Sequence, residues 1–262
     1  WHNHCGIFTF PIQMACKFNV PLILWGEHGF MDLGGMYSYN DYVEFTAKYR
    51  KEHSLRGFDW YDFLKDRSNY SELININEII EEKDLIWAKY PRDEEIISVG
   101  SRGIYLSNYV DWNGDKNAEL MKKLYGWQES DLQFERTYRK ISNLDDIHEN
   151  GIHDYMKFIK FGYGRTTDHA SKDIRSGKMS RKKAVQEVLK RDHIKSNDIH
   201  RWLKYVNMTE NDFDIIADGF RDQRVWSIVD DNWYKHDLDG SFQNYGKVNL
   251  PDNLKKKYLR ET

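Results

Sequence analysis

Hydrophobic and polar positions along this chain switch between helical spacing and short, wholly apolar runs, and the opening residues hold one of each. Ile7 to Phe18 carries apolar residues at helical intervals, and it predicts a helix with Pro11 in its first turn, where the missing N–H costs least. Val20-Pro-Leu-Ile-Leu-Trp25 then runs apolar up to Gly26, the pattern of a strand buried on both faces of a parallel sheet. From Phe30 to Glu72 aromatic and charged residues mix without a period around Gly34-Gly35, which predicts irregular loop and helix, a lid or an inserted subdomain. Ile74–Lys83 and Arg92–Val99 read as helices parted by the Tyr90-Pro91 stop. Gly103-Ile-Tyr-Leu-Ser107 reads as a second buried strand, and Asp115–Tyr125 as the helix after it.

Beyond Asn143 the pattern becomes mostly helical. Ser180 heads a helix through Lys190, Ser196 or Asp198 heads another through Val206, and Thr209 with Asp212 caps a third. Arg224–Asp237 reads as a hairpin turning at Asp230-Asp231-Asn232, and the tail with Lys255, Lys256 and Lys257 as a solvated end. The fold class that follows is α/β, with strands, helices and an aromatic-rich insertion over residues 1–142 and a mostly helical region over residues 143–262. No internal repeat or low-complexity segment interrupts this division.

Composition changes that picture little. Apolar residues at 40% and charged residues at 31% belong to a chain that buries a core. A net charge of −3 argues against general nucleic-acid binding, which needs a basic surface to displace counterions. Cys5 and Cys16 cannot build a disulfide framework, and no apolar run reaches the roughly 20 residues that span a bilayer. The expected setting is a soluble, cytoplasmic one. The 15% aromatic share fits a site for a ring-shaped ligand as well as it fits a core.

Candidate chemistry concentrates between His153 and Arg181. Gly162 and Gly164 free the backbone between two helical stretches. Thr166, Thr167 and Asp168 can cap the second, leaving its N-terminus facing what Arg165 faces, with Lys160 nearby. Asp168 and Arg175 lie two helical turns apart and share a face. The run reads either as an anion site or as a capped, salt-bridged helix corner. Gly26-Glu27-His28 follows the first predicted strand, at the carboxyl end where open α/β sheets bind ligands. Glu27 suits a metal or a ribose hydroxyl, and His28 suits a phosphate or acid–base work. His2, His4 and Cys5 are weak metal candidates, since they lack paired C-x-x-C spacing. Asp145, Asp146, His148 and Glu149 suit a cation or a sugar, or else a solvated turn before a helix. The sequence contains no G-x-x-x-x-G-K-[ST], G-x-S-x-G or H-E-x-x-H, and no catalytic constellation can be assembled from it.

Several of these blocks carry a family likeness. Phe161-Gly-Tyr-Gly-Arg-Thr-Thr-Asp168 and Asp173-Ile-Arg-Ser-Gly-Lys-Met-Ser-Arg181, read with His4-Cys-Gly-Ile-Phe-Thr-Phe-Pro11, Pro21–Gly29 and Gly103–Ser107, resemble the N-acetyl sugar amidotransferases of surface-polysaccharide, O-antigen and nonulosonic-acid biosynthesis. Asn143–Asp154 looks like the pseudaminic-acid subgroup. The resemblance implies an ATP pyrophosphatase (PP-loop) fold, with residues 1–142 as the C-terminal part of a Rossmann-like nucleotide-binding domain and its partial parallel sheet, and residues 143–262 as a helical substrate region; it further implies ATP with Mg2+ and a sugar or sugar-nucleotide substrate whose N-acetyl group becomes acetamidino. Ammonia would come in some members from a glutaminase subunit, with neither nucleic acid nor membrane involved. It also implies that Gly26, Glu27 and His28 border the nucleotide, while Lys160, Arg165, Thr167, Asp168 and Arg175 face the sugar or its phosphates. The family's Ser-Gly-Gly-Lys-Asp-Ser loop and its upstream cysteine pair would lie before Trp1, and Asn3 stands where the family has a cysteine ahead of His4. The chain is accordingly expected to be the carboxy-terminal portion of a longer enzyme, inactive toward ATP alone. A tRNA-thiolating pyrophosphatase and a non-catalytic module docking a glutaminase through surface aromatics such as Trp60 are the other readings; the acidic charge balance counts against the first.

Overall fold

A computed structural model describes residues 2–26, 43–55, 57–64, 80–110, 113–141 and 148–258, with the side chains of residues 2, 3, 53, 149 and 150 excepted. These residues form a mixed α/β protein that divides into two compact units, Trp1–Tyr125 and Gly126–Thr262. The sequence pattern turns mostly helical at 142/143, and the residues just before it already bond into the second unit: Arg136 to Asp154, Thr137 to His169 and Arg139 to Asp173.

In the first unit, helix α1 (His2–Phe18) lies beside a parallel pair, β1 (Leu22–Trp25) and β2 (Arg102–Tyr105), in the register Leu22↔Arg102 to Trp25↔Tyr105. Because α1 starts at His2, Pro11 sits in mid-helix and not in the first turn. The loss of its N–H and the clash with the preceding turn cost about 3 kcal/mol. Phe8, Ile12 and Ala15 are buried at helical spacing on one face, and burial of a large apolar side chain returns about 1.5–3 kcal/mol. Phe8 and Ile12 join Trp25, Tyr49 and Tyr105 in one cluster, with Phe45 packed against it. Gly103 makes that packing possible: a Cβ there would lie 2.6 Å from Trp25 Nε1 and 2.9 Å from Phe45 Cβ. The strand expected to be buried on both faces is not: Leu22 and Leu24 are exposed on β1, while Trp25 is buried.

Between the strands, Tyr49–Ser54 is a π-helical turn, and Trp60–Phe63 and Glu82–Ala88 are 3-10 helices. The irregular structure expected for Phe30–Glu72 is met where it is described. The helix expected over Ile74–Lys83 is replaced, within the described part, by the 3-10 turn from Glu82. Asp84 holds that turn by accepting from Glu81 N at 3.0 Å. Trp60, expected at the surface, is half-buried against Cys5, Leu55 and Ala88. Helix α2 (Asp93–Val99) ends at Gly100, whose φ of 68° closes it, and α3 (Gly114–Tyr125) ends the unit.

The second unit is mostly helical: α4 (Glu149–Phe161), α5 (Arg165–Arg175), α6 (Arg181–Arg191), α7 (Asp198–Val206) and α8 (Glu210–Asp218). Ser180 caps α6 and Thr209 caps α8, as the pattern predicts. The α7 cap is neither Ser196 nor Asp198 but Asn197, whose N–H and side chain both donate to Glu135 at 2.8 Å. An antiparallel sheet follows, β3 (Ser227–Val229), β4 (Asn232–His236) and β5 (Phe242–Lys247). The predicted hairpin turns where expected, with Asp230 and Asp231 both at positive φ. The strand β5 is not foreseen: Phe242–Lys247 is polar and largely exposed, so no apolar alternation marks it.

The unit's apolar clusters meet on α4. Phe158 packs with Trp226, Trp233, Val248 and Tyr258, while Ile159 packs with Ile199, Leu203 and Phe213. The tail is solvated over most of its described length, as expected, and is docked at two points. A short helix α9 (Asp252–Lys255) brings Lys255 to Asp231 at 2.6 Å, and the buried Tyr258 donates to the Arg221 carbonyl at 2.7 Å. No described helix is long and apolar enough to cross a membrane.

Candidate functional site

The glycine-hinged corner between α4 and α5 forms as the sequence pattern implies. Gly162 ends α4 with φ of 74°, and a Cβ on it would lie 2.5 Å from Val225 Cγ1. Gly164 precedes α5 in extended conformation; here the demand is for space, since a Cβ would lie 3.0 Å from both Arg136 Nη2 and Asp192 Oδ1.

The cap of α5 is not the expected one. Neither Thr166, Thr167 nor Asp168 caps it; the carboxylate of Asp192, just past α6, does. It accepts from Gly164 N at 2.7 Å, Thr166 N at 2.9 Å and the Thr167 hydroxyl at 2.6 Å. The anion that this helix N-terminus takes is therefore the protein's own. Burial pushes the Asp192 carboxyl above its ordinary value, against the pull of these hydrogen bonds and of Arg136.

Arg136, which no sequence signal marks, holds the corner from behind. It is buried, donates through Nη2 to the carbonyls of Asp154 (2.9 Å) and Asp192, donates through Nη1 to that of Ile194, and lies 5.5 Å over the Tyr155 ring. Desolvation lowers its pKa to about 10, which leaves it charged at neutral pH.

The remaining site candidates are placed as follows. Arg165 pairs with buried Asp154 at 2.9 Å and approaches His153, so its charge is committed inside the protein. Burial alone would raise Asp154; hydrogen bonds from His153 and Arg165 and the Arg165 charge outweigh it and bring the carboxyl below its ordinary value. Asp168 pairs with Lys157. Lys160 is exposed, its ammonium 5.6 Å from the Phe161 ring centroid, and Arg175 is exposed at the far end of α5. Gly26 follows β1, and no described residue lies within 4 Å of where its Cβ would stand. Glu27 and His28 lie outside the described residues, as do Asp145 and Asp146.

Of the weak metal candidates, Cys5 is fully buried 3.8 Å from the Thr9 hydroxyl, and burial pushes its thiol up, which favours the protonated form. His4 stacks on Phe8 at 6.4 Å. His2 is in the helix, its side chain outside the description. Among the described residues, no group of three or more His, Cys, Asp or Glu is placed to hold a metal ion. His148 lies 2.9 Å from Asp198.

Sequence reasoning missed a cleft of about 430 Å³ beside α4, bounded by α6 and β5. Tyr155, Phe158 and Tyr245 form its flat walls, and His193, Arg221, Asp237, Gln243 and Asn244 supply polar groups. A second cavity of about 220 Å³ shares Phe158, Leu189, His193, Asp237 and Tyr245 with it. Lys235 and Asp237 form a buried ion pair there, and the Tyr245 hydroxyl donates to Asp237 at 2.6 Å. Burial, and next this bond, push the Tyr245 phenol well above its ordinary value, so it stays protonated. The cleft was hidden because β5 has no sequence signal; aromatic Tyr245 amid polar neighbours was the one available hint.

Residues 129–237 match the family described as LPS biosynthesis protein WbpG-like, C-terminal domain. The match falls inside the second unit and runs from before α4 to the end of β4. It makes this unit similar to a domain of lipopolysaccharide biosynthesis proteins and supports a role in polysaccharide biosynthesis. No curated protein gives a match to the chain.

Proposed function

We propose that this chain belongs to an ATP-dependent amidotransferase of surface-polysaccharide biosynthesis, with its second unit on the sugar side of the reaction. The observation that carries this reading is the likeness of residues 129–237 to the lipopolysaccharide biosynthesis domain. In the reaction, a sugar acetamido group, ammonia and ATP give an acetamidino group, AMP and pyrophosphate. The amide oxygen leaves in AMP, and ammonia nitrogen takes its place on the carbon. Ammonia from a glutaminase partner belongs to the same proposal, as does Mg2+ on the nucleotide.

The nucleotide half rests on the resemblance in Gly26, Glu27 and His28, and no step is assigned to residues there. The described residues of the second unit contribute shape and fixed charge. Asp192 and Arg136 lock the α4–α5 corner; Lys160 is exposed beside it and Arg175 at the far end of α5, and in this reading they meet a phosphorylated or nucleotide-linked sugar. The test supplies the chain within its complete reading frame with ATP, ammonium and 2-acetamido sugars, free and nucleotide-linked. The expected result is AMP together with a product carrying NH in place of one oxygen, read by mass spectrometry. Release of ADP, or no amidine from any of these sugars, would refute the proposal.

A further inference from the structure

Helix α6 has two unlike sides. Ala184 and Val188 are buried on one of them, in a cluster with Ala170 of α5. Helical spacing sets Lys182, Lys183, Gln186 and Lys190 on the other, and all four are exposed. Arg181 is exposed at the start of the same helix. Glu187, the one acid in its sequence, is taken by Arg191. Arg181, Lys182, Lys183 and Lys190 pair with no carboxylate among the described residues.

This stripe works against its own helix. Arg181, Lys182 and Lys183 fill the first turn, where the helix dipole disfavours cations, and no acid stands there to offset them. Helices α5, α7 and α8 carry Asp168, Asp198 and Glu210 in that turn. A face that only needs to be wet mixes both signs. A face of one sign, in a chain whose net charge is −3, fits an anionic partner.

The chemistry of the face narrows that partner. Its four cations line neither cleft described above, so they enclose no small anion. A protein interface has an apolar core with aromatic side chains and few lysines, whereas this face has three lysines and no aromatic. Single-stranded nucleic acid calls for rings to stack its bases, and a duplex calls for a basic protein. An anionic lipid surface calls only for a cluster of cations on long, flexible side chains. Acids elsewhere on the chain do not forbid the contact, since charges beyond about 10 Å are screened at roughly 0.1 M salt. We propose that the outer face of α6 lies against anionic lipid headgroups and holds the chain at a membrane surface. The contact is peripheral and electrostatic, because α6 turns no apolar side chain outward on that face. It departs from the membrane-free setting that the family likeness implied, and it stands independently of the amidotransferase reading.

Co-sedimentation of this chain with vesicles tests the face, using phosphatidylcholine alone and phosphatidylcholine mixed with phosphatidylglycerol. The expected result is binding to the mixed vesicles only, released by high salt. One cation near such a surface is worth about fivefold in partition, so Lys182→Gln with Lys183→Gln should weaken binding on the order of 25-fold. Glutamine keeps the helix, and an unchanged circular dichroism spectrum checks it. Arg201→Gln with Lys204→Gln removes the same charge from exposed positions on α7 and should leave binding as it was. Binding to phosphatidylcholine alone, or none to the mixed vesicles, overturns the proposal. Equal weakening by the two double variants also overturns it, because net charge and not the α6 face would then be acting. A preference for polyglutamate or a DNA duplex over the mixed vesicles, at equal anion concentration, overturns it in favour of an acidic protein or a nucleic acid.

Discussion

Asp192 and His169 show how much of the second unit hangs on single buried groups. Asp192 satisfies two backbone N–H groups and a hydroxyl at the start of α5, so Asp192→Ala leaves two buried N–H groups and a half-buried hydroxyl without this acceptor. The expected cost is on the order of 3 kcal/mol, read as a lower urea midpoint, and a midpoint equal to the parent's would refute this capping role. His169 is buried with Nδ1 2.6 Å from the Thr137 hydroxyl. Burial, with the Arg139 charge next, lowers its pKa from 6.5 to about 3. The unfolded chain therefore binds a proton below pH 6.5 that the folded chain refuses, and stability from this residue falls as pH drops from 6.5 toward 3, by about 1 kcal/mol per unit. Unfolding followed between pH 6.5 and 4.5 should show a shallower decline in His169→Gln; equal slopes would exclude the histidine as the cause. The sequence displayed both residues without distinguishing them. Asp192 follows a helix as many aspartates do, and its role depends on α5 and α6 being neighbours.

At the scale of elements, capping was legible and partnership was not. Ser180 and Thr209 announce their helices because a hydroxyl at that position can answer only its own first turn. Thr209→Ala should cost about 1 kcal/mol in thermal melts, and no change would show that the α8 cap is idle. In the sequence Gly103 only opens the second predicted strand, whereas the structure makes it the contact point for Trp25 and Phe45. Gly103→Ala must push one of these aromatic side chains aside. A loss of about 1–3 kcal/mol is expected, with altered tryptophan fluorescence, and a fully tolerated substitution would contradict this close approach. Pro11 and β5 misled the pattern in opposite ways. A proline suggested a helix start but was carried in mid-helix by apolar burial, while a strand without alternation formed because β4 offered it an edge.

At the scale of the whole molecule, each unit has apolar clusters of its own among the described residues. A fragment covering residues 126–262 is therefore expected to unfold cooperatively by itself, with protection of the Trp226–Trp233 core from proteolysis, and a fragment without a cooperative transition would contradict this division. The sequence by itself determined the α/β class, the parallel pair between Pro21 and Ser107, the helical character of the second half, the glycine hinge at Gly162 and the turn at Asp230-Asp231. These follow from local periodicity, from caps and from backbone freedom, which act over a few residues. Only the tertiary structure decided that Asp192 fills the anion position of α5, that Arg165 turns inward to Asp154, and that a cleft opens beside Arg221. Each of those results depends on which distant groups meet in a dry interior, where an unpaired charge or donor is costly, and no spacing along the chain records such a meeting.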